Sequence, residues 1–145
     1  MEKLAAERAQ LEPLTKEDID RLADDARRFI PGRVAQIAAE MGVTYGKITI
    51  RNQKTRWGSC SANGSLSFNC LLMLTPPEII DYVIIHELCH RVHMNHSPAF
   101  WREVEKYDPD CRDKKQWLKE YGSVLFDRMA AGKDDPAAGI PGRNS

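Results

Sequence analysis

The sequence predicts one α+β domain in which a small antiparallel or mixed sheet packs against a central helix, with further helices as a cover. The chain has 145 residues, enough for one modest core, and its 42% hydrophobic and 29% charged residues are ordinary for a globular protein. Helical and strand periodicities both occur along it. We expect a flexible lead-in at 1–14, the domain at 15–130 and a disordered tail at 131–145, which is rich in Gly, Pro, Asp and Ala.

Two helical stretches are predicted before the sheet. Thr15 is the expected N-cap of the first, with Asp18 completing a capping box. Pro31 restricts the residue before it, so this helix should stop or kink near Phe29. The second stretch should end at Gly42, because glycine readily adopts the left-handed conformation that closes a helix.

Strands are predicted in the middle of the chain. Residues 45–52 alternate apolar and polar side chains, the period of a half-exposed strand. Asn63-Gly64 is a turn signal that should join strands near 56–60 and 65–69.

The second half of the chain is predicted to be helical. Thr75 is the expected N-cap of the central helix, with Glu78 in the capping-box position. Ser97 should cap the next helix, residues 108–110 (Asp-Pro-Asp) should break it, and a last helix should run over about 111–129.

The central helix carries an H-E-x-x-H motif at residues 86–90. On a helix, His86 and His90 lie one turn apart on one face and can bind a single Zn²⁺, while Glu87 beside them can take a proton from a zinc-bound water. A catalytic site needs a third protein ligand, and His96 is the best candidate because the helix should end near Asn95. A structural zinc site would fill all four positions and leave Glu87 without a role.

Four segments together resemble a known family. They are T-R-W-G-S-C at 55–60, L-T-P-P-E at 74–78, Y-V-I-I-H-E-L-C-H at 82–90 and N-H-S-P-A-F-W at 95–101. The sequence resembles the YgjP-like metallopeptidase domain over roughly 33–122, a family similar to the SprT-like and WLM zinc proteases. The resemblance implies a zincin-like fold, one Zn²⁺ on His86, His90 and His96, and Glu87 as general base. Arg56 falls within R-W-G-S-C, so we expect it to line the cleft and act on substrate charge.

Zincins can bind an extended substrate along an edge strand beside the metal, and the second strand of the hairpin is our candidate for it. Leu66 and Phe68 would then face the core, while Ser67 and Asn69 would face outward as substrate-binding residues.

His93 occupies the place where metzincin-type motifs carry a glycine. We therefore expect the chain to bend at Met94-Asn95 instead, with His93 as a surface residue or a partner of the ligands rather than a fourth ligand.

Charge gives weaker indications about partners. Lys+Arg and Asp+Glu both count 21, so the whole molecule has no field that attracts nucleic acid or an anionic membrane. Residues 41–77 contain no acidic side chain, and Lys47, Arg51 and Lys54 could make a weak nucleic-acid contact with Trp57 as a stacking and substrate-binding surface. No apolar run suggests secretion or a membrane span, which favours a cytoplasmic protein.

The resulting prediction is a zinc-dependent hydrolase, foremost a metallopeptidase acting on peptide or unfolded protein. One alternative is a nucleotide pyrophosphatase, because the basic hairpin could seat a triphosphate. The other is a nucleic-acid-binding module with structural zinc.

Overall fold

The structure, a computed structural model, describes residues 12–134. Three strands occur in this part of the chain: β1 (Ile48–Arg51), β2 (Gly58–Cys60) and β3 (Leu66–Asn69). The α-helices there are α1 (Lys16–Met41), α2 (Pro77–Cys89), α3 (Pro98–Tyr107), α4 (Cys111–Trp117) and α5 (Ser123–Asp134). A 3₁₀ turn (Cys70–Leu74) precedes α2, and a π-helical turn (Leu118–Gly122) joins α4 to α5. No helix within residues 12–134 is both long and apolar enough to cross a membrane. The predicted α+β class is confirmed.

The sheet is mixed and has the order β1-β3-β2. β2 and β3 form the predicted antiparallel hairpin, and Gly64 at its turn has φ +91°. β1 pairs with β3 in parallel, so β3 lies in the centre. The prediction that the second hairpin strand is an edge strand is therefore wrong.

α1 is one continuous helix of 26 residues with Pro31 inside it. The Thr15 capping box and the end at Gly42, which has φ +70°, are confirmed. The helix does not stop near Pro31, because Ile30 and Val34 on either side are both fully buried against the rest of the core. Their burial outweighs the lost backbone hydrogen bond, which by itself disfavours proline in a helix by about 3 kcal/mol.

α2 runs through the core and is buried on nearly every side. Its buried apolar residues are Ile79, Ile80, Tyr82, Val83, Ile84, Ile85, Leu88 and Cys89. α1 holds α2 through a bidentate ion pair, in which Arg33 Nε donates to Asp81 Oδ1 at 2.8 Å and Arg33 Nη2 donates to Asp81 Oδ2 at 2.7 Å. The helix that carries the H-E-x-x-H motif is thus held from its first half onward.

The start of α2 differs from the prediction. Pro76 is its N-cap, without a side-chain hydrogen bond, and the helix begins at Pro77. The Thr75 hydroxyl instead donates to the Leu72 carbonyl at 2.7 Å and closes the 3₁₀ turn before the helix.

The carboxyl-terminal helices extend further than expected. The break at 108–110 is confirmed, but the last helix continues to Asp134, past the predicted start of the tail at 131. Leu14 is buried, and its N–H donates to the Arg128 carbonyl at 3.0 Å, so the end of the expected flexible lead-in is fixed on α5. The predictions for 1–11 and 135–145 lie outside the described residues.

Candidate metal centre and active site

Three imidazoles converge at the carboxyl end of α2. His86 lies in the last turn of the helix, and His90 directly follows it with φ −67° and ψ −12°, so the two keep their helical spacing. The following loop brings His96 to the same place. A ligand-type nitrogen of each ring lies within 4.8 Å of the others, and His86 Nε2 is 3.2 Å from His96 Nε2.

This donor set fits a tetrahedral divalent ion such as Zn²⁺. Zinc–imidazole bonds of about 2.0–2.1 Å place two ligand nitrogens about 3.3 Å apart, close to the spacing of His86 and His96. Burial, reinforced by the neighbouring His90 and His96, lowers the pKa of His86 to about 3. Burial also lowers the pKa of His90. A low pKa keeps an imidazole neutral, which is the form that binds a metal.

The tautomer of His90 follows from its second contact. His90 Nδ1 lies 3.0 Å from the His93 carbonyl oxygen, which can only accept, so Nδ1 carries the proton and donates. Nε2 is then left with a lone pair for a metal ion. His93 contributes through its backbone, and its ring is not part of the three-histidine cluster.

The turn toward His96 begins earlier than predicted. α2 ends at Cys89 rather than near Asn95, and the Val92 and His93 N–H groups both donate to the Cys89 carbonyl. The Arg91 guanidinium holds this turn from outside by donating to two backbone carbonyls, those of Thr44 and Ala62. The chain does bend at Met94 and Asn95 as expected, but the helix has already ended at Cys89.

Aromatic rings of α3 brace the three imidazoles. Phe100 is fully buried and stacks on His90 with ring centroids 4.5 Å apart and planes at 23°. Trp101 lies nearly parallel to His96 at 6.1 Å and edge-on to His86 at 5.5 Å. Ser97 caps α3 as predicted, with its hydroxyl accepting from the Phe100 N–H at 3.2 Å. The packing fixes the loop that carries His96.

Glu87 lies beside the imidazoles and against the start of β2. The residue is only 6% exposed, and burial raises the pKa of its carboxyl group to about 8, although the positive charge of Arg56 opposes the rise. A Cβ on Gly58 would lie 3.1 Å from Glu87 Cγ and 3.2 Å from Glu87 Oε2. Any larger residue at this position would press on the carboxyl group and require it to shift.

A cleft of about 810 Å³ opens over the site. Its size is within the range of about 300–1,000 Å³ that ligand sites show. The segment that leads into β2, helix α2, Trp101 of α3, helix α4 and the π-helical turn all contribute to its lining. The lining residues are Thr55, Arg56, Trp57, Gly58, Tyr82, Val83, His86, Glu87, His96, Trp101, Arg112, Lys115, Gln116, Leu118 and Lys119.

The predicted substrate-binding residues divide into two pairs. Arg56 and Trp57 line the cleft, and Trp57 also packs on Phe126 of α5 with centroids 4.7 Å apart. Ser67 and Asn69 do not line it and do not face outward, because β3 is the central strand and both are buried. The Ser67 hydroxyl contacts the Ser59 hydroxyl.

Asn69 has a positioning role instead. Its Nδ2 donates to the carbonyls of Gln53 at 2.9 Å and Arg56 at 3.0 Å, and its Oδ1 accepts from the Leu71 N–H. These bonds hold the segment that presents Arg56 and Trp57 to the cleft.

The sequence pattern did not predict a role for Gly58 or for three cations of the cleft lining, Arg112, Lys115 and Lys119. Gly58 stands inside R-W-G-S-C, but its close approach to Glu87 depends on tertiary packing, which the sequence pattern does not report. Arg112, Lys115 and Lys119 follow i, i+3, i+7 spacing, which signals one helix face but not what that face meets. The predicted contact residues Lys47, Arg51 and Lys54 are not among the residues that line the cleft.

By family and fold the chain is a metallopeptidase-like hydrolase with a zincin-like architecture. The chain belongs to the YgjP-like family: the model of the YgjP-like metallopeptidase domain matches residues 3–121. A comparison with curated protein sequences finds no match.

Two solved structures share the fold. The metallopeptidase zymogen abylysin of Pyrococcus abyssi has a TM-score of 0.56 and 24% identity, over 63% of this chain and 94% of its own. The metallopeptidase zymogen jannalysin of Methanocaldococcus jannaschii has a TM-score of 0.55 and 23% identity, over the same 63% and 94%. Both support the zincin-like architecture predicted from the sequence.

Proposed function

We propose that this protein is a zinc-dependent metallopeptidase that hydrolyses peptide bonds in peptides or unfolded protein. The observation that carries the proposal is the approach of a buried Glu87 to a three-imidazole cluster at the floor of an open cleft. His86, His90 and His96 would hold the ion. When bound, Zn²⁺ would act as a Lewis acid and lower the pKa of a water to about 7.

Glu87 is the general base in this proposal. Its carboxylate takes a proton from the attacking water and then passes it to the leaving nitrogen. Burial raises the pKa of Glu87 to about 8 in the metal-free protein, and a divalent cation held by the three histidines would lower it, which favours the carboxylate that a general base needs. Arg56 lines the same cleft, and its charge acts on Glu87, so we assign it to the negative charge that develops on the substrate carbonyl oxygen.

β2 is the strand that would bind the substrate backbone. The Trp57 carbonyl accepts from the Asn69 N–H and the Ser61 N–H donates to the Ser65 carbonyl, both at 2.9 Å, so odd-numbered residues pair with β3. The N–H and C=O groups of Gly58 and Cys60 therefore point to the other side of β2, where no strand among residues 12–134 pairs with it. An extended peptide laid there would pass next to Glu87.

The three-ligand set argues against a structural zinc site. Structural sites fill all four positions, most often with cysteine, whereas the cluster found among the described residues consists of three histidines. A nucleic-acid-binding module with structural zinc also leaves the buried Glu87 without a purpose.

The test compares metal-free and zinc-restored protein on peptide libraries, an unfolded protein and nucleoside triphosphates. We expect zinc-dependent peptide cleavage that Glu87→Gln abolishes while zinc content is unchanged, with Glu78→Gln, an exposed position on the same helix, as the matched control. Release of nucleoside monophosphate without any peptide cleavage would replace the peptidase by a pyrophosphatase. Full activity in Glu87→Gln would overturn the enzymatic proposal.

A further inference from the structure

The charges of this neutral chain are unevenly distributed. All five basic residues of α1 form ion pairs with aspartates: Lys16, Arg21, Arg27, Arg28 and Arg33. Four cations line the cleft, and none of them forms an ion pair with another side chain that the structure describes, within residues 12–132: Arg56, Arg112, Lys115 and Lys119. Among the described residues that line the cleft, Glu87 is the one with an acidic side chain, and it is buried.

These cations line the same cleft as His86 and His96 and come from separate parts of the chain. Arg56 shortly precedes β2, Arg112 and Lys115 belong to α4, and Lys119 belongs to the π-helical turn. The Lys115 ammonium lies 4.5 Å from the centroid of the Trp101 ring, and that ring is 5.5 Å from the His86 ring. A cation–π contact thus holds one positive charge near the reacting centre rather than leaving it to move freely in solvent.

The smaller adjoining cavity of about 230 Å³ contains one possible counter-charge, Glu105. Arg112 and Lys115 line this cavity as well, yet neither pairs with Glu105 within 4.0 Å. The positive charges in the cleft are therefore available to a ligand.

We propose that the cleft selects peptides with carboxylate groups next to the scissile bond, either Asp and Glu side chains or a free carboxyl terminus. This inference rests on the proposed peptidase function. A peptide is favoured over a nucleotide because the open edge of β2 offers N–H and C=O groups that pair with a peptide backbone. Carboxylates of a peptide held in the cleft would meet the cationic side chains that line it, among them Arg56, Lys115 and Lys119.

Binding tests this selectivity independently of turnover. Zinc-loaded Glu87→Gln is titrated with two pairs of labelled peptides. The peptides of the first pair differ only in having Glu or Gln, and those of the second pair differ only in having a free or an amidated carboxyl terminus. We expect the acidic peptide to bind about tenfold more tightly than its amide counterpart, as for charge-assisted contacts, with the difference shrinking at high salt. A difference within the Glu and Gln pair would show that the cleft recognises side-chain carboxylates. A difference within the free and amidated pair would show that it recognises a terminal carboxylate.

Lys115→Gln with Lys119→Gln should remove most of that preference, while Arg27→Gln with Arg28→Gln on α1 should leave it intact. Charge reversal, Lys115→Glu with Lys119→Glu, should shift the preference to lysine-containing peptides, which lost packing alone would not do.

Equal binding of acidic and amide peptides would overturn the inference whatever the turnover assay shows. A nucleoside triphosphate that binds more tightly than every acidic peptide would also overturn it. Absence of peptide cleavage by wild-type protein, with the binding preference intact, would refute the peptidase function and leave the charge selectivity standing.

Discussion

Replacing Glu87 by Gln should stabilise the metal-free protein while it abolishes turnover. Glu87 is 6% exposed and makes no side-chain hydrogen bond to another described residue, and burial raises its pKa from 4.5 to about 8. Between these two pH values the folded protein keeps the proton that the unfolded chain has released. Stability is therefore lost as pH rises through this window, and the loss is complete above pH 8.

The magnitude follows from the width of the window. Each pH unit corresponds to about 1.4 kcal/mol, so the full range from 4.5 to about 8 sets an upper bound of about 5 kcal/mol. Because the carboxyl group borders an open cleft, where water relaxes the penalty, we expect Glu87→Gln to raise the free energy of unfolding by about 2–4 kcal/mol above pH 8. The gain should nearly vanish at pH 4.5, where Glu87 is neutral in the folded protein.

Urea unfolding of the chelated protein at pH 4.5 and pH 9 measures this difference. Glu78→Gln controls for the loss of a carboxylate from the same helix, and zinc-loaded samples should show a smaller gain, because a nearby cation lowers the pKa of Glu87. A Glu87→Gln protein that is less stable than wild type at pH 9, or equally stabilised at both pH values, would refute the reasoning.

Three further predictions concern the surroundings of the site. Gly58→Ala should lower kcat about tenfold or more at unchanged zinc content, because the added methyl meets Glu87 at 3.1 Å; a wild-type kcat would contradict this. Arg33→Lys should lower the free energy of unfolding by about 1 kcal/mol in urea titrations, since lysine cannot form the bidentate pair with Asp81, whereas Arg27→Lys should not. Metal-free protein should lose stability as pH falls from 6.5 to about 3, because only the unfolded chain protonates His86 there; His86→Gln should flatten this slope in unfolding titrations.

The residues that carry the chemistry were predictable because their information is local. The spacing of His86 and His90 on one helix, the apolar residues around them and the Ser97 cap each depend on neighbours within a few positions. The hairpin turn at Asn63-Gly64 is equally local. These signals sufficed to bring the candidate site together.

Strand order and helix ends depended on distant contacts. β1 pairs in parallel with β3, so Ser67 and Asn69 lie in the central strand of the sheet and not in the predicted edge strand. The alternation of side chains within β3 cannot predict which strands lie beside it. The early end of α2 is fixed by Arg91, whose guanidinium reaches Thr44, 47 positions away in sequence. The cationic lining of the cleft could not be predicted for the same reason, since only tertiary packing brings α4 and Arg56 to the same cleft.

The central claim is that three imidazoles hold one divalent ion above Glu87. Metal analysis of purified wild type, His96→Ala and His93→Ala after equilibration with zinc tests it most directly, with His93 as the control because its ring lies outside the cluster. We predict one zinc per chain in wild type and His93→Ala and a large loss in His96→Ala. Equal zinc content in all three proteins would contradict the account.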